Sequence, residues 1–269
     1  MVIDTSLDNV LLALSVTAAA GLATVVGSFL VFASKTPSPR LLSFGLAFAG
    51  GAMVYISLSE ILPKSVTAFT HLHGDSKGFA FATIAFLSGM LLMAALDRLM
   101  PNPHEHLEEE AAVKNVSHDH LKRVGLLTAI AITAHNLPEG LATFFAMLDS
   151  PSLGIPLAFA IAIHNIPEGI SIAIPVYFAT NSRMTAFVAC LLSGFAEPVG
   201  AALGGLFLAP YLTQDVFGGV FGAIAGVMVF LALDELLPAA KQYAKGHETV
   251  YGIIGGMAVM AASLIMFRW

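Results

Sequence analysis

Long apolar runs separated by short polar connectors make up most of this chain. Crossing the hydrocarbon core of a bilayer takes ~20 consecutive apolar residues as a helix. Runs of that length fall at about Val10–Ser34, Leu41–Leu62, Phe79–Met100 and Val124–Leu148. Four more follow at about Leu153–Thr180, Ala186–Leu208, Val216–Leu237 and Val250–Phe267. The connectors carry the breaking residues, as in "KTPSPR", "PKSVTAFTHLHGDSKG", "DSPS", "TNSR", "APYLTQD" and "KQYAKGHE". The pattern predicts an all-α, polytopic membrane protein of eight transmembrane helices, forming one membrane-embedded domain over 1–269. Pro156 and Pro175, near the ends of the fifth run, make it the least regular.

Composition agrees with the pattern. Hydrophobic residues make up 57% of the 269 positions and charged residues only 11%, against about 25% charged in a soluble domain. A net charge of -6 with no basic patch argues against nucleic acid as a partner. A single cysteine and no CxxC exclude an internal disulfide and a thiolate metal cage. The start, "MVIDTSLDN", has aspartates where a cleavable signal would have lysines, so none is expected.

Lysine and arginine set the expected orientation. With the N-terminus outside, the inner side collects Lys35, Arg40, Arg98, Lys114, Lys122, Arg123, Arg183, Lys241 and Lys245. The outer side keeps Lys64, Lys77 and Arg268. Both termini are therefore expected on the extracellular or periplasmic face. The longest connector, "PNPHEHLEEEAAVKNVSHDHLKR" (101–123), is then cytoplasmic, and without a periodic apolar face it reads as mostly mobile.

Two internal repeats stand out. "AIAITAHNLPEGLA" in the fourth run aligns with "AFAIAIHNIPEGIS" in the fifth, and adjacent spans run antiparallel. "GGAMVYISLSEILP" (50–63) aligns with "AGVMVFLALDELLP" (225–238), pairing Met53 with Met228, Glu60 with Glu235 and Pro63 with Pro238. Inverted halves around a central pair of helices are a transporter arrangement, because one scaffold can then favour outward and inward states alike. Chance similarity among small packing residues is the alternative for the second repeat.

The chemistry sits inside the first repeat. On a helix, positions four apart share a face, so His135 projects with Glu139, and His164 with Glu168. Asn136 and Asn165 lie alongside. Pro138 and Pro167 remove an amide donor and free the carbonyls of Ala134 and Ile163. Both motifs fall at mid-span, as does Glu197 in "SGFAEPVGAALGG". An acidic residue at helix centre costs about 2.5–3.5 kcal/mol on insertion scales, and no lysine or arginine lies near any midplane to offset it. The missing positive charge must come from outside the chain. Imidazoles, amides and carboxylates without sulfur suit Zn²⁺, Fe²⁺, Mn²⁺ or Co²⁺ better than Cu⁺, and there are donors enough for two cations bridged by Glu139 and Glu168. A neutral, protonated cluster gluing helices together is the alternative.

These motifs, with "SGFAEPVGA" and "GGAMVYISLSEILP", closely resemble the ZIP (Zrt-, Irt-like protein) metal transporters, in particular their bacterial branch, over essentially the whole chain. The resemblance implies a 3+2+3 inverted-repeat helix bundle with a binuclear metal site on spans four and five. It implies His135, Glu139, His164 and Glu168 as ligands of a first metal. Asn136, Asn165 and Glu197 would hold a second, with the motif glutamates shared. It further implies elevator-like alternating access, uptake of Zn²⁺ with Fe²⁺, Mn²⁺, Co²⁺ and Cd²⁺, and residence in a bacterial inner membrane. The partners expected are divalent metal ions and the lipid bilayer, with a homodimer left open. No catalytic cofactor is expected, the metal being cargo.

Other residues carry weaker signals. Glu60, Met53 and Glu235 are candidates for a path to and from the site, against interfacial carboxylates and ordinary packing. His71 and His73, with Asp75, are candidates for gathering cations at the outer mouth. His104, His106, His118 and His120 form two H-x-H pairs in the inner loop that could capture zinc loosely. Cys190 reads as a packing residue. The rival functions are a divalent cation channel in the same fold and an intramembrane zinc-dependent hydrolase, whose HExxH motif is absent.

Overall fold

The structure is a computed structural model that describes residues 6–33, 39–98, 133, 136–208, 211 and 213–268. Among these residues there is no strand. The helices are α1 (Leu7–Ala33), α2 (Pro39–Ile56), α3 (Leu62–His73), α4 (Asp75–Asp97), α5 (136–149), α6 (Pro151–Thr180), α7 (Arg183–Phe207), α8 (Gln214–Leu231), α9 (Leu237–Tyr243) and α10 (Glu248–Arg268). Seven continuous helical runs among the described residues are long and apolar enough to cross a membrane. Large apolar side chains such as Leu91, Leu192 and Leu206 are more than 60% exposed. That would be an aggregation hazard in water but is the expected lipid-facing surface of a spanning helix.

Two of the expected boundaries move. α2 does not stop at Leu62: a π-helical turn, Ser57–Ile61, joins it to α3, so the helix runs on to His73. "PKSVTAFTHLH" is therefore helix, and the break comes at Gly74, whose φ of 79° few other residues tolerate. The second case is its counterpart, Ala232–Leu236, a π turn joining α8 to α9 and carrying the helix to Tyr243. Pro63 and Pro238 each follow such a turn in the first positions of a new helical register, where a missing N–H breaks no bond. In the alignment of 50–63 with 225–238, the two π turns occupy the same positions. Conversely, the prolines inside the fifth span do not interrupt it, since α6 is helical through Pro156, Pro167 and Pro175. The irregular backbone lies in α2–α3 and α8–α9 rather than in the motif-bearing helix.

The helices sort into two packed groups. α1, α6 and α7 pack on one another; α2, α3, α4, α8, α9 and α10 form the second group, and the groups meet mainly where α2 and α10 pack on α6. Glycines set the closest approaches, and they recur in matched pairs. Gly51 abuts the Ile253 carbonyl as Gly226 abuts that of Phe86, and Gly256 abuts the Phe48 carbonyl as Gly89 abuts that of Ala223. Between α5 and α7 Gly140 meets the Glu197 carbonyl as, between α6 and α1, Gly169 meets that of Thr24, while Gly21 and Gly194 meet each other. Without Cβ atoms the backbones come close enough for dispersion to hold helices that share no hydrophobic drive in lipid.

Candidate metal centre

Helical spacing brings the two motifs together from α5 and α6. Asn136, Glu139, His164, Asn165 and Glu168 are all at most 5% exposed, as is Glu197 on α7. Glu139, His164 and Glu168 each offer a ligand atom within 4.8 Å of the other two. His164 Nε2 lies 3.1 Å from Glu139 Oε2. The sequence expectation paired Glu139 with His135 on the same helix; His135 lies outside the described residues, and the imidazole that Glu139 meets is the one from α6.

The asparagines are held by their amide nitrogens. Asn136 Nδ2 donates to the Ser193 carbonyl at 3.0 Å and to Ser193 Oγ at 3.2 Å. Asn165 Nδ2 donates to the Ala20 carbonyl at 2.9 Å and to Glu197 Oε1 at 2.5 Å. Each amide oxygen is left buried with nothing to accept from. Six buried atoms are left without a hydrogen-bond partner: Asn136 Oδ1, Glu139 Oε1, His164 Nδ1, Asn165 Oδ1, Glu168 Oε1 and Glu197 Oε2. Buried polar atoms are otherwise nearly always satisfied. Glu139 and Glu197 both act electrostatically on Glu168, yet none of the described lysine or arginine side chains is buried. Ionised together, three carboxylates so close would repel one another, with no lysine or arginine among the described residues beside them to offset the charge. A divalent cation would supply both what the oxygens need and what the charges need.

Met53 is buried on α2. Glu60 sits within the first π turn, in the middle of a long helical run rather than near its end, with Lys64 Nζ at 3.9 Å. Glu235 is half-buried in the matching π turn. His71 and His73 are exposed on the last turn of α3, and His73 Nε2 pairs with Asp215 Oδ1 at 2.7 Å. At the end of α5, burial pushes the Asp149 carboxyl above its usual range, opposed by Lys64. His104, His106, His118 and His120 lie outside the described residues. Cys190 Sγ donates to the Gly169 carbonyl at 3.3 Å, in line with a packing role.

Sequence reasoning missed Ser193 and the Ala20 carbonyl, which aim the two asparagines. Ser193 stands four residues before Glu197, on the same face of α7, and that spacing was a readable signal.

Comparison with known proteins gives a consistent result. A family model described as "ZIP Zinc transporter" matches residues 7–124 and 101–264. The chain is 64% identical over 263 residues to "Zinc transporter ZupT" of Stenotrophomonas maltophilia (strain K279a), covering 97% of this chain and 98% of that protein. It is 63% identical over 267 residues to "Zinc transporter ZupT" of Neisseria meningitidis serogroup B, covering 99% of each. A protein of the same name from Lysinibacillus sphaericus is 48% identical over 264 residues, 96% of this chain and 98% of its own.

Proposed function

Because the chain belongs to the ZIP zinc transporter family, we propose that it carries Zn²⁺ across the membrane into the cytoplasm through the centre formed by α5, α6 and α7. The observation that carries this reading is the set of six buried oxygen and nitrogen atoms without a partner. A cation arriving there exchanges hydration water for carboxylate oxygens and imidazole nitrogen, a donor set suited to borderline metals. In this reading His135, Glu139, His164 and Glu168 hold a first ion. Asn136, Asn165 and Glu197 hold a second, and Glu139 and Glu168 are shared between them. Fe²⁺, Mn²⁺, Co²⁺ and Cd²⁺ fit the same donors and are proposed as further cargo.

Movement would come from the two packed groups. α1, α5, α6 and α7 carry the site, and α2 with α10 supply the surface against which α6 slides. Matched glycine contacts in both groups support alternating access, because equivalent packing on the two sides lets outward and inward states differ little in energy. The lysine and arginine asymmetry supports both termini on the periplasmic side of a bacterial inner membrane. A channel is the second reading, and flux kinetics separate the two: a carrier saturates at low metal concentration and depends steeply on temperature. The family is one of transporters, so the hydrolase alternative is set aside. The test is uptake of Zn²⁺ and, separately, of each other metal into proteoliposomes holding the purified chain. No accumulation above empty vesicles would refute the proposal.

A further inference from the structure

The buried atoms without a partner include one close to the centre that no motif accounts for, Thr24 Oγ1 on α1. Thr24 is 0% exposed. Buried hydroxyls on membrane helices normally bond back to a carbonyl one turn earlier. Thr17 on the same helix does so, to the Ala13 carbonyl at 2.9 Å, and Ser28 bonds to that of Val25 at 2.7 Å. The equivalent carbonyl for Thr24 is that of Ala20, and it is the one that accepts from Asn165 Nδ2.

The position of Thr24 is also specified by register. Gly169 of the second motif abuts the Thr24 carbonyl just as Gly140 of the first abuts that of Glu197. Four residues earlier, Asn165 donates to the Ala20 carbonyl just as Asn136 donates to that of Ser193. Thr24 therefore stands on α1 where Glu197 stands on α7. Glu197 presents a carboxylate to Asn165 and keeps one oxygen free; Thr24 presents a hydroxyl with no partner at all.

We propose that Thr24 is a specificity-determining residue of the metal centre, whose hydroxyl supplies a neutral, hard oxygen directly to the bound divalent cation on the α1 side. The inference rests on the transport reading above and adds a position to it. One carboxylate and one hydroxyl on matched sides give the centre one negative charge fewer than two carboxylates would. A hard neutral oxygen also favours Mn²⁺ relative to Cd²⁺.

The test replaces the hydroxyl in the full-length protein. Thr24→Val keeps the shape and removes the oxygen. It is expected to lower Zn²⁺ affinity by about 10–100-fold in calorimetry, the usual cost of losing a partner at a metal site, and to shift Mn²⁺/Cd²⁺ competition toward Cd²⁺, with Thr24→Ser restoring both. The melting temperature of the metal-free protein should not fall, because no native bond is lost. Thr24→Cys gives a reading independent of affinity: with Cd²⁺ added, a thiolate–cadmium charge-transfer band should appear in the ultraviolet that wild type, with its Cys190, lacks. Wild-type affinity and competition in Thr24→Val, or no band in Thr24→Cys while wild type binds Cd²⁺, would overturn the proposal alone. A wild type that binds neither Zn²⁺ nor Cd²⁺ would overturn the metal centre itself, and this inference with it.

Discussion

Gly169 sets how closely α6 approaches α1, and replacing it with alanine is the sharpest packing perturbation available near the centre. A Cβ there would meet the Thr24 carbonyl oxygen far inside contact distance. Carbon–oxygen contacts settle at about 3.3–3.6 Å, so α1 and α6 would have to part by roughly 1.5 Å. Overpacking of this kind costs about 1–3 kcal/mol. The Asn165–Ala20 hydrogen bond, now 2.9 Å, would be stretched beyond use, at about 1 kcal/mol more. We therefore expect Gly169→Ala to destabilise the purified protein by about 2–4 kcal/mol and to abolish most zinc uptake, because Glu168 moves with its neighbour. Gly45→Ala is the control: its Cβ would lie 3.8 Å from that of Pro167, an ordinary contact, and alanine favours the helix by up to ~1 kcal/mol. Thermal unfolding in detergent, followed by size exclusion, compares the two. If Gly169→Ala melts with Gly45→Ala and transports like wild type, the close α1–α6 packing does not position the site.

Three further outcomes follow from the charges and donors. Glu139→Gln should lower zinc affinity at least about 100-fold, by the loss of a shared charged ligand, without lowering the melting temperature of the metal-free protein; titration calorimetry and thermal unfolding read the two separately. His164→Asp should move preference from Zn²⁺ toward Mn²⁺, and superimposable competition profiles for the two proteins would mean that the imidazole does not touch the ion. Deleting residues 105–117 should leave substantial flux in a vesicle assay, since the donors lie in other segments.

Much of the centre was legible because burial made it conspicuous. A histidine, an asparagine and a glutamate inside apolar runs, twice, could be read from hydropathy and helical spacing alone, and Glu197 by its depth. Which imidazole meets which carboxylate was not legible. Spacing along one helix pairs Glu139 with His135, which lies outside the described residues; the added contact with His164 depends on how α5 and α6 are rotated, which sequence periodicity does not encode. Prolines misled in both directions. Pro63 and Pro238 read as helix ends but follow π turns that absorb them, and the fifth span, least regular by its prolines, is helical through all three. Thr24 was invisible for a different reason: a threonine among alanines and valines is ordinary in a membrane helix, and its significance lies in a carbonyl already taken by Asn165.

The central claim is that cations cross through the buried carboxylate–imidazole cluster. It is tested most directly by radiozinc uptake into proteoliposomes holding either the wild-type chain or Glu168→Gln, reconstituted at equal density. Wild type is expected to show saturable accumulation and the variant none above empty vesicles, since it exchanges one carboxylate for a neutral amide of the same size at the point where the motifs meet. Equal uptake by the two proteins would contradict it.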